Sequence, residues 1–189
     1  MLNPKLFMLL LGCKPPGRHT EQHDVFFAIG DTLNELVPGM KAFWPEPEKI
    51  HIDAWREVRQ VDGYQVTIVP KETAVENGEN KLFFINLGGY QENKFEEQHY
   101  FVLTVKPNKA AAFAEAKQTL FYQNNHFEGA TSHIDDKYGI DVDDIYQIED
   151  ILSDTCKAQY KIQLTPVAGL PDDEIHLGYL KLSQLQKDN

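Results

Sequence analysis

The sequence predicts an α+β protein built by tandem duplication of a small strand-rich module, each copy ordered strand, strand, helix, strand, strand, in antiparallel or mixed sheets. Three observations predict it. Residues 5 to 29 laid over 81 to 105 without a gap give eight identities: Lys5, Leu6, Phe7, Leu11, Gly12, Glu21, Gln22 and His23 match Lys81, Leu82, Phe83, Leu87, Gly88, Glu97, Gln98 and His99. Chance would give about one or two at ordinary composition. Two more strings recur with shifted spacing, His51-Ile52-Asp53 as His133-Ile134-Asp135 and Tyr64–Pro70 as Tyr160–Pro166. Finally, period-two alternation dominates, interrupted once per copy by a stretch of helical period. The division expected is a first module over 1 to 78 and a second over 79 to 189, which includes an acidic insertion and a C-terminal strand, the two packed as one compact unit.

Each element has a local cause. Residues 5 to 11 form an apolar strand closed by the Pro15-Pro16-Gly17 turn, and 21 to 29 form a second with Val25, Phe27 and Ile29 on one face. Asp31 or Thr32 can cap a short helix carrying Leu33, Leu36 and Val37, which Pro38-Gly39 ends or kinks. Strands near 52 to 60 and 64 to 69 flank Asp62-Gly63, a hairpin signal. The polar residues 71 to 80 connect the copies. In the second copy strands fall near 82 to 87, 98 to 106, 143 to 151 and 159 to 165. Its helix runs from Lys109 to Tyr122, with Phe113, Ala116, Leu120 and Phe121 on one stripe. Ile175 to Leu182 reads as a last strand.

Charge bounds the function. The 189 residues carry 18 Lys and Arg against 29 Asp and Glu, a net charge of -11, which repels phosphate backbones and anionic membrane surfaces. Nucleic acid and membrane are therefore not expected partners. Leu6 to Leu11 before Gly12-Cys13 resembles a lipoprotein signal, but its repetition in the interior at 82 to 88 favours a strand. Cys13 and Cys156 cannot build a disulfide framework and suit a reducing cytoplasm. Acidity concentrates between 128 and 154, where nine acidic side chains face a single lysine, Lys137. That segment is the expected docking surface for a basic protein partner. Oligomeric state is not readable.

The repeated Glu-Gln-His is the best candidate site. Strand alternation puts Glu21 with His23 on one face and Glu97 with His99 on another. Converging, these four would give an oxygen and nitrogen donor set suited to a divalent metal. The competing reading is two histidines at sheet edges, each hydrogen-bonded to a carboxylate. A secondary candidate is His51 with Asp53, repeated as His133 with Asp135, where aspartate would orient an imidazole. Lys14, Arg18 and His19 form an isolated basic loop able to hold an anion. No nucleophile elbow and no phosphate-binding glycine motif occurs in the chain.

The order of elements is similar to tandem modules of vicinal-oxygen-chelate type, whose duplicated sheets curve around a metal or small ligand, a likeness of fold alone. Three strings carry a closer resemblance: residues 11 to 27 (Leu-Gly-Cys-Lys-Pro-Pro-Gly-Arg-His-Thr-Glu-Gln-His-Asp-Val-Phe-Phe), residues 50 to 58 (Ile-His-Ile-Asp-Ala-Trp-Arg-Glu-Val) and residues 132 to 146 (Ser-His-Ile-Asp-Asp-Lys-Tyr-Gly-Ile-Asp-Val-Asp-Asp-Ile-Tyr). They resemble an uncharacterised bacterial family, domain of unknown function 1543, over nearly the whole chain. The resemblance implies a bacterial cytoplasmic protein and carries no catalytic residues with it. The expected function is a non-enzymatic binding or interaction protein, regulatory or immunity-like. The alternative is a metal-dependent enzyme or small-molecule binder using the duplicated Glu-x-His.

Overall fold

A computed structural model describes residues 3–44, 49–75, 78–90, 93–118 and 140–185. The chain is α+β, its sheets antiparallel in every pairing. It divides into two compact units, Met1–Glu76 with Leu152–Asn189, and Asn77–Ile151. The first boundary falls two residues before the sequence cut at 78/79, and residues 152 to 189 join the first unit rather than the second.

Strand pairing explains that return. In the first unit, β1 (Lys5–Cys13), β2 (Gln22–Gly30) and β3 (His51–Glu57) form a sheet with the C-terminal β10 (His176–Lys181), in the order β10-β3-β1-β2. A second small sheet joins β4 (Gln60–Val61), β5 (Tyr64–Pro70) and β9 (Tyr160–Pro166). The strings that repeat in sequence at 64 to 70 and 160 to 166 are therefore paired with each other, Tyr64 opposite Pro166 and Pro70 opposite Tyr160.

The core of this unit lies on one face of β1. Odd positions Phe7, Leu9, Leu11 and Cys13 pack with Ile52, Leu182 and the helix α1 (Leu33–Phe43) through Leu36, Val37 and Met40. Burying these side chains supplies about 1.5–3 kcal/mol each for the larger ones. That burial also carries α1 through Pro38, where a stop or kink was expected, although the ring removes one backbone donor. Thr32 holds the N-cap position without a side-chain cap bond, while the backbone N–H of Asp31 donates to Glu35 Oε2 at 2.9 Å.

The strand expected at 52 to 60 is divided. Val58 N–H bonds Leu6 O, and Arg59 N–H is taken by the Asp173 carboxylate at 3.1 and 3.2 Å, which ends β3 before β4 starts. Asp62-Gly63 makes the expected two-residue hairpin, with both φ positive at 53° and 76°, as a type I′ turn requires.

In the second unit, β6 (Lys81–Tyr90), β7 (Glu97–Lys106) and β8 (Ile140–Gln147) form a sheet ordered β7-β6-β8. Phe83, Ile85 and Leu87 pack on Ala112 and Ala116 of α2 (Lys109–Ala116), which Asn108 caps by accepting from Ala111 N–H at 2.9 Å. β8 begins three residues before the strand expected at 143 and turns into a short helix, Ile148–Ile151, because the fully buried Ile148 anchors a turn there. The helical stripe beyond residue 118, including Leu120 and Phe121, lies outside the described residues.

Candidate functional site

The even positions of β1 face away from the core just described, and the last of them is Gly12. Gly12 stands opposite His23 on β2 and opposite His51 on β3, so two imidazoles flank a residue with no side chain. The register of β1 against β3 shifts between Leu10 and Leu11, which leaves Asp53 as an extra residue on β3. Such a bulge re-aims a side chain, here the Asp53 carboxylate, toward the two rings. Glu21, one residue before β2, completes the group on the His23 side.

The contacts are close. His23 Nε2 lies 3.1 Å from Asp53 Oδ2 and 3.7 Å from Glu21 Oε2. His51 Nε2 lies 3.1 Å from Glu21 Oε1 and 3.4 Å from Asp53 Oδ1. The two halves differ in exposure. The His51 side chain is only 3% exposed and Asp53 26%, whereas Glu21 and His23 are 41% and 43% exposed.

His51 is oriented by what surrounds it. Its Nδ1 sits 3.3 Å from the Lys49 carbonyl, which can only accept, so that nitrogen carries a proton. Its ring packs against Tyr179 of β10 at a centroid distance of 4.2 Å. The outer nitrogen, Nε2, is then either a lone pair facing two carboxylates or an N–H. Neither is satisfied, because Nε2 makes no hydrogen bond of acceptable geometry despite its short contacts, and neither does Asp53 Oδ2. Both orphaned atoms border one point: a Cβ on residue 12 would lie 2.4 Å from His51 Nε2 and 2.6 Å from Asp53 Oδ2. Glycine at position 12 is what leaves this cradle open.

Nearby donor separations of 3.1 to 3.7 Å bracket the ~3.3 Å edge of a tetrahedral shell whose bonds are about 2.0–2.1 Å long. Among the described residues no group of three or more His, Cys, Asp or Glu side chains is placed to hold a metal ion. His51 is buried and Asp53 partly so, while Glu21 and His23 are exposed.

The sequence grouped Glu21 and His23 with Glu97 and His99, and His51 and Asp53 with His133 and Asp135; the structure brings Glu21, His23, His51 and Asp53 together. In the second unit His99 Nε2 lies 3.8 Å from Glu97 Oε2 and Nδ1 3.2 Å from Asn86 Oδ1. His133 and Asp135 lie outside the described residues, as does the acidic segment up to residue 139. On β8 the register positions matching His51 and Gly12 are Asp141 and Gly88, so Asp141, not His133, stands where His51 stands in the first sheet. Lys14, Arg18 and His19 are exposed on the loop between β1 and β2, and no ion pair among the described residues ties them together. Gly12 was legible as a repeated residue but not as part of a site. Tyr179 was missed, since nothing local shows that β10 returns to β3.

The class defined here is an α+β protein with a histidine and carboxylate cluster at the end of an antiparallel sheet. The family model described as Domain of Unknown Function (DUF1543) matches residues 18–68, bearing out the resemblance, and Glu21, His23, His51 and Asp53 all fall within that span. A crystal structure of a protein Il1583 from Idiomarina loihiensis is similar, with a TM-score of 0.64 and 20% identity over 95% of this chain and 98% of that one. No curated protein matches the chain. No described helix is long and apolar enough to cross a membrane.

Proposed function

We propose that this chain is a binding protein of the bacterial cytoplasm that holds a divalent cation between His23, His51, Glu21 and Asp53. One observation carries the reading: a fully buried imidazole nitrogen and a carboxylate oxygen, both without a hydrogen bond, border the same cradle over Gly12. A buried polar atom left unsatisfied costs about 1–3 kcal/mol, and a metal ion relieves two at once. Two imidazoles with two carboxylates suit zinc, manganese, iron or nickel.

The duplication supports the same reading. Each sheet has its repeat glycine on the central strand opposite a histidine, Gly12 by His23 and Gly88 by His99, and the register shifts at equivalent places, Leu10/Leu11 and Asn86/Leu87. A pair of copies whose first sheet keeps the donor set fits the likeness to vicinal-oxygen-chelate modules.

Zinc titration of untagged protein by calorimetry tests the proposal. The expected result is a single site whose affinity falls at least about tenfold in His51→Phe and in His23→Ala, and is unchanged in His99→Ala. Zinc uptake by His51→Phe equal to that of the parent would overturn it.

A further inference from the structure

The four-stranded sheet of the first unit ends at β10, and among the described residues no strand lies beside the outer edge of β10. Toward the core the strand is tied down: His176 stacks on Trp55 at a centroid distance of 3.8 Å, and Leu180 packs against the buried cluster. Leu177 stands opposite Ala54 and the Tyr179 ring lies on His51, so both belong to the other face. That side is open to solvent. Ile175, Leu177 and Tyr179 are 59%, 81% and 61% exposed, three large side chains close together on one strand.

Sheet edges of monomeric proteins are commonly blunted by lysine, by proline or by a bulge. No proline, lysine, arginine or carboxylate falls between Glu174 and Lys181. At its C-terminal end the edge is closed by Lys181, whose N–H donates to Gln184 Oε1 at 2.9 Å. A bulge between Leu177 and Leu180, with Gly178 at φ 131°, shortens the run that can pair. What remains is a short apolar edge with an anion before it and a cation after it. The anion is Glu174, 3.8 Å from His176 Nδ1 and with a side chain 77% exposed; the cation is the exposed Lys181.

These charges define the partner. A strand laid on this edge has to present apolar side chains at its middle, a cation beside Glu174 and an anion beside Lys181. β10 itself, run antiparallel, meets all three demands, because antiparallel pairing sets the start of one strand against the end of the other. A two-fold axis at Leu177 brings that residue of each copy together and sets Ile175 of each against Tyr179 of the other. The local match matters because two chains of net charge -11 otherwise repel each other.

We infer that the β10 edge is the docking surface for a second copy of this chain, the two β10 strands pairing antiparallel about a two-fold axis. The inference does not depend on the cation site. Because the bulge keeps the paired run short, the dimer dissociates on dilution.

Sedimentation velocity of the full chain over a dilution series tests it. The expected result is a monomer–dimer equilibrium. Leu177→Lys sets like charges against each other at the axis and should weaken the dimer at least about tenfold, with an unchanged circular dichroism spectrum, since the Leu177 side chain already stands in solvent. Glu174→Lys alone should weaken the dimer, and Glu174→Lys combined with Lys181→Glu should restore it. A parent that stays monomeric at every concentration overturns the inference. So does a dimer indifferent to Leu177→Lys, which places the contact elsewhere, and so does a charge swap that fails to restore what Glu174→Lys removed.

Discussion

At Gly12 a single methyl group probes the cluster. In Gly12→Ala the new Cβ would meet His51 Nε2 at 2.4 Å and Asp53 Oδ2 at 2.6 Å, both closer than van der Waals contact. His51 has little room to yield, being packed on Tyr179 and bonded near Lys49. The expected outcome is a loss of about 1–3 kcal/mol of stability, the usual cost of overpacking, together with loss of zinc binding. Urea denaturation followed by zinc titration measures both. His51→Phe removes an unsatisfied buried nitrogen and keeps a ring against Tyr179, but gives up the Nδ1 bond to the Lys49 carbonyl. Without metal the two changes are expected to offset to within about 1 kcal/mol, and a loss above about 2 kcal/mol would mean that His51 Nε2 is already satisfied by its carboxylate neighbours. The residue types of this site were legible in the sequence. Their grouping was not, because the side of β3 that Asp53 serves depends on a bulge, and a one-residue shift in register leaves no periodic trace.

At the scale of elements, local signals read best where the cause was local. The Asp62-Gly63 hairpin and the Asn108 start of α2 follow from turn and cap chemistry within a few residues. Asn108→Ala removes the acceptor of the Ala111 N–H and is expected to cost about 0.5–2 kcal/mol, measurable by thermal denaturation. Elements whose limits depend on distant partners were misread. The break after Glu57 owes to Asp173, more than a hundred residues away, which caps Arg59 N–H with a carboxylate only 2% exposed. The passage of α1 through Pro38 owes to burial of Leu36, Val37 and Met40 against the sheet. Pro38→Ala restores a helical donor and should raise stability by up to about 3 kcal/mol. A fall in melting temperature would show that the proline shapes the packing of α1.

For the whole molecule the decisive fact is that residues 152 to 189 return to the first unit. β5 finds its partner in β9 and β3 in β10, so a fragment ending near residue 78 lacks a neighbour for both. Circular dichroism of residues 1 to 78 alone should show no cooperative unfolding. A cooperative transition in that fragment would contradict the strand assignments. The repeated strings pointed to the likeness of β2-β1-β3 to β7-β6-β8 but not to this closure, since the pairing of β5 with β9 leaves no mark in either string. The net charge of -11 argues against polyanionic partners without pointing to a site. The proposed site over Gly12 places two carboxylates and two imidazoles together on one face of one sheet.

The central claim is that this place holds a metal ion. Anomalous diffraction from crystals grown with zinc tests it most directly. The account predicts a peak over Gly12 within about 2.0–2.2 Å of His51 Nε2 and an Asp53 oxygen, with His23 and Glu21 turned toward it. Well-diffracting crystals with no peak there, or zinc bound only at other histidines, would contradict it.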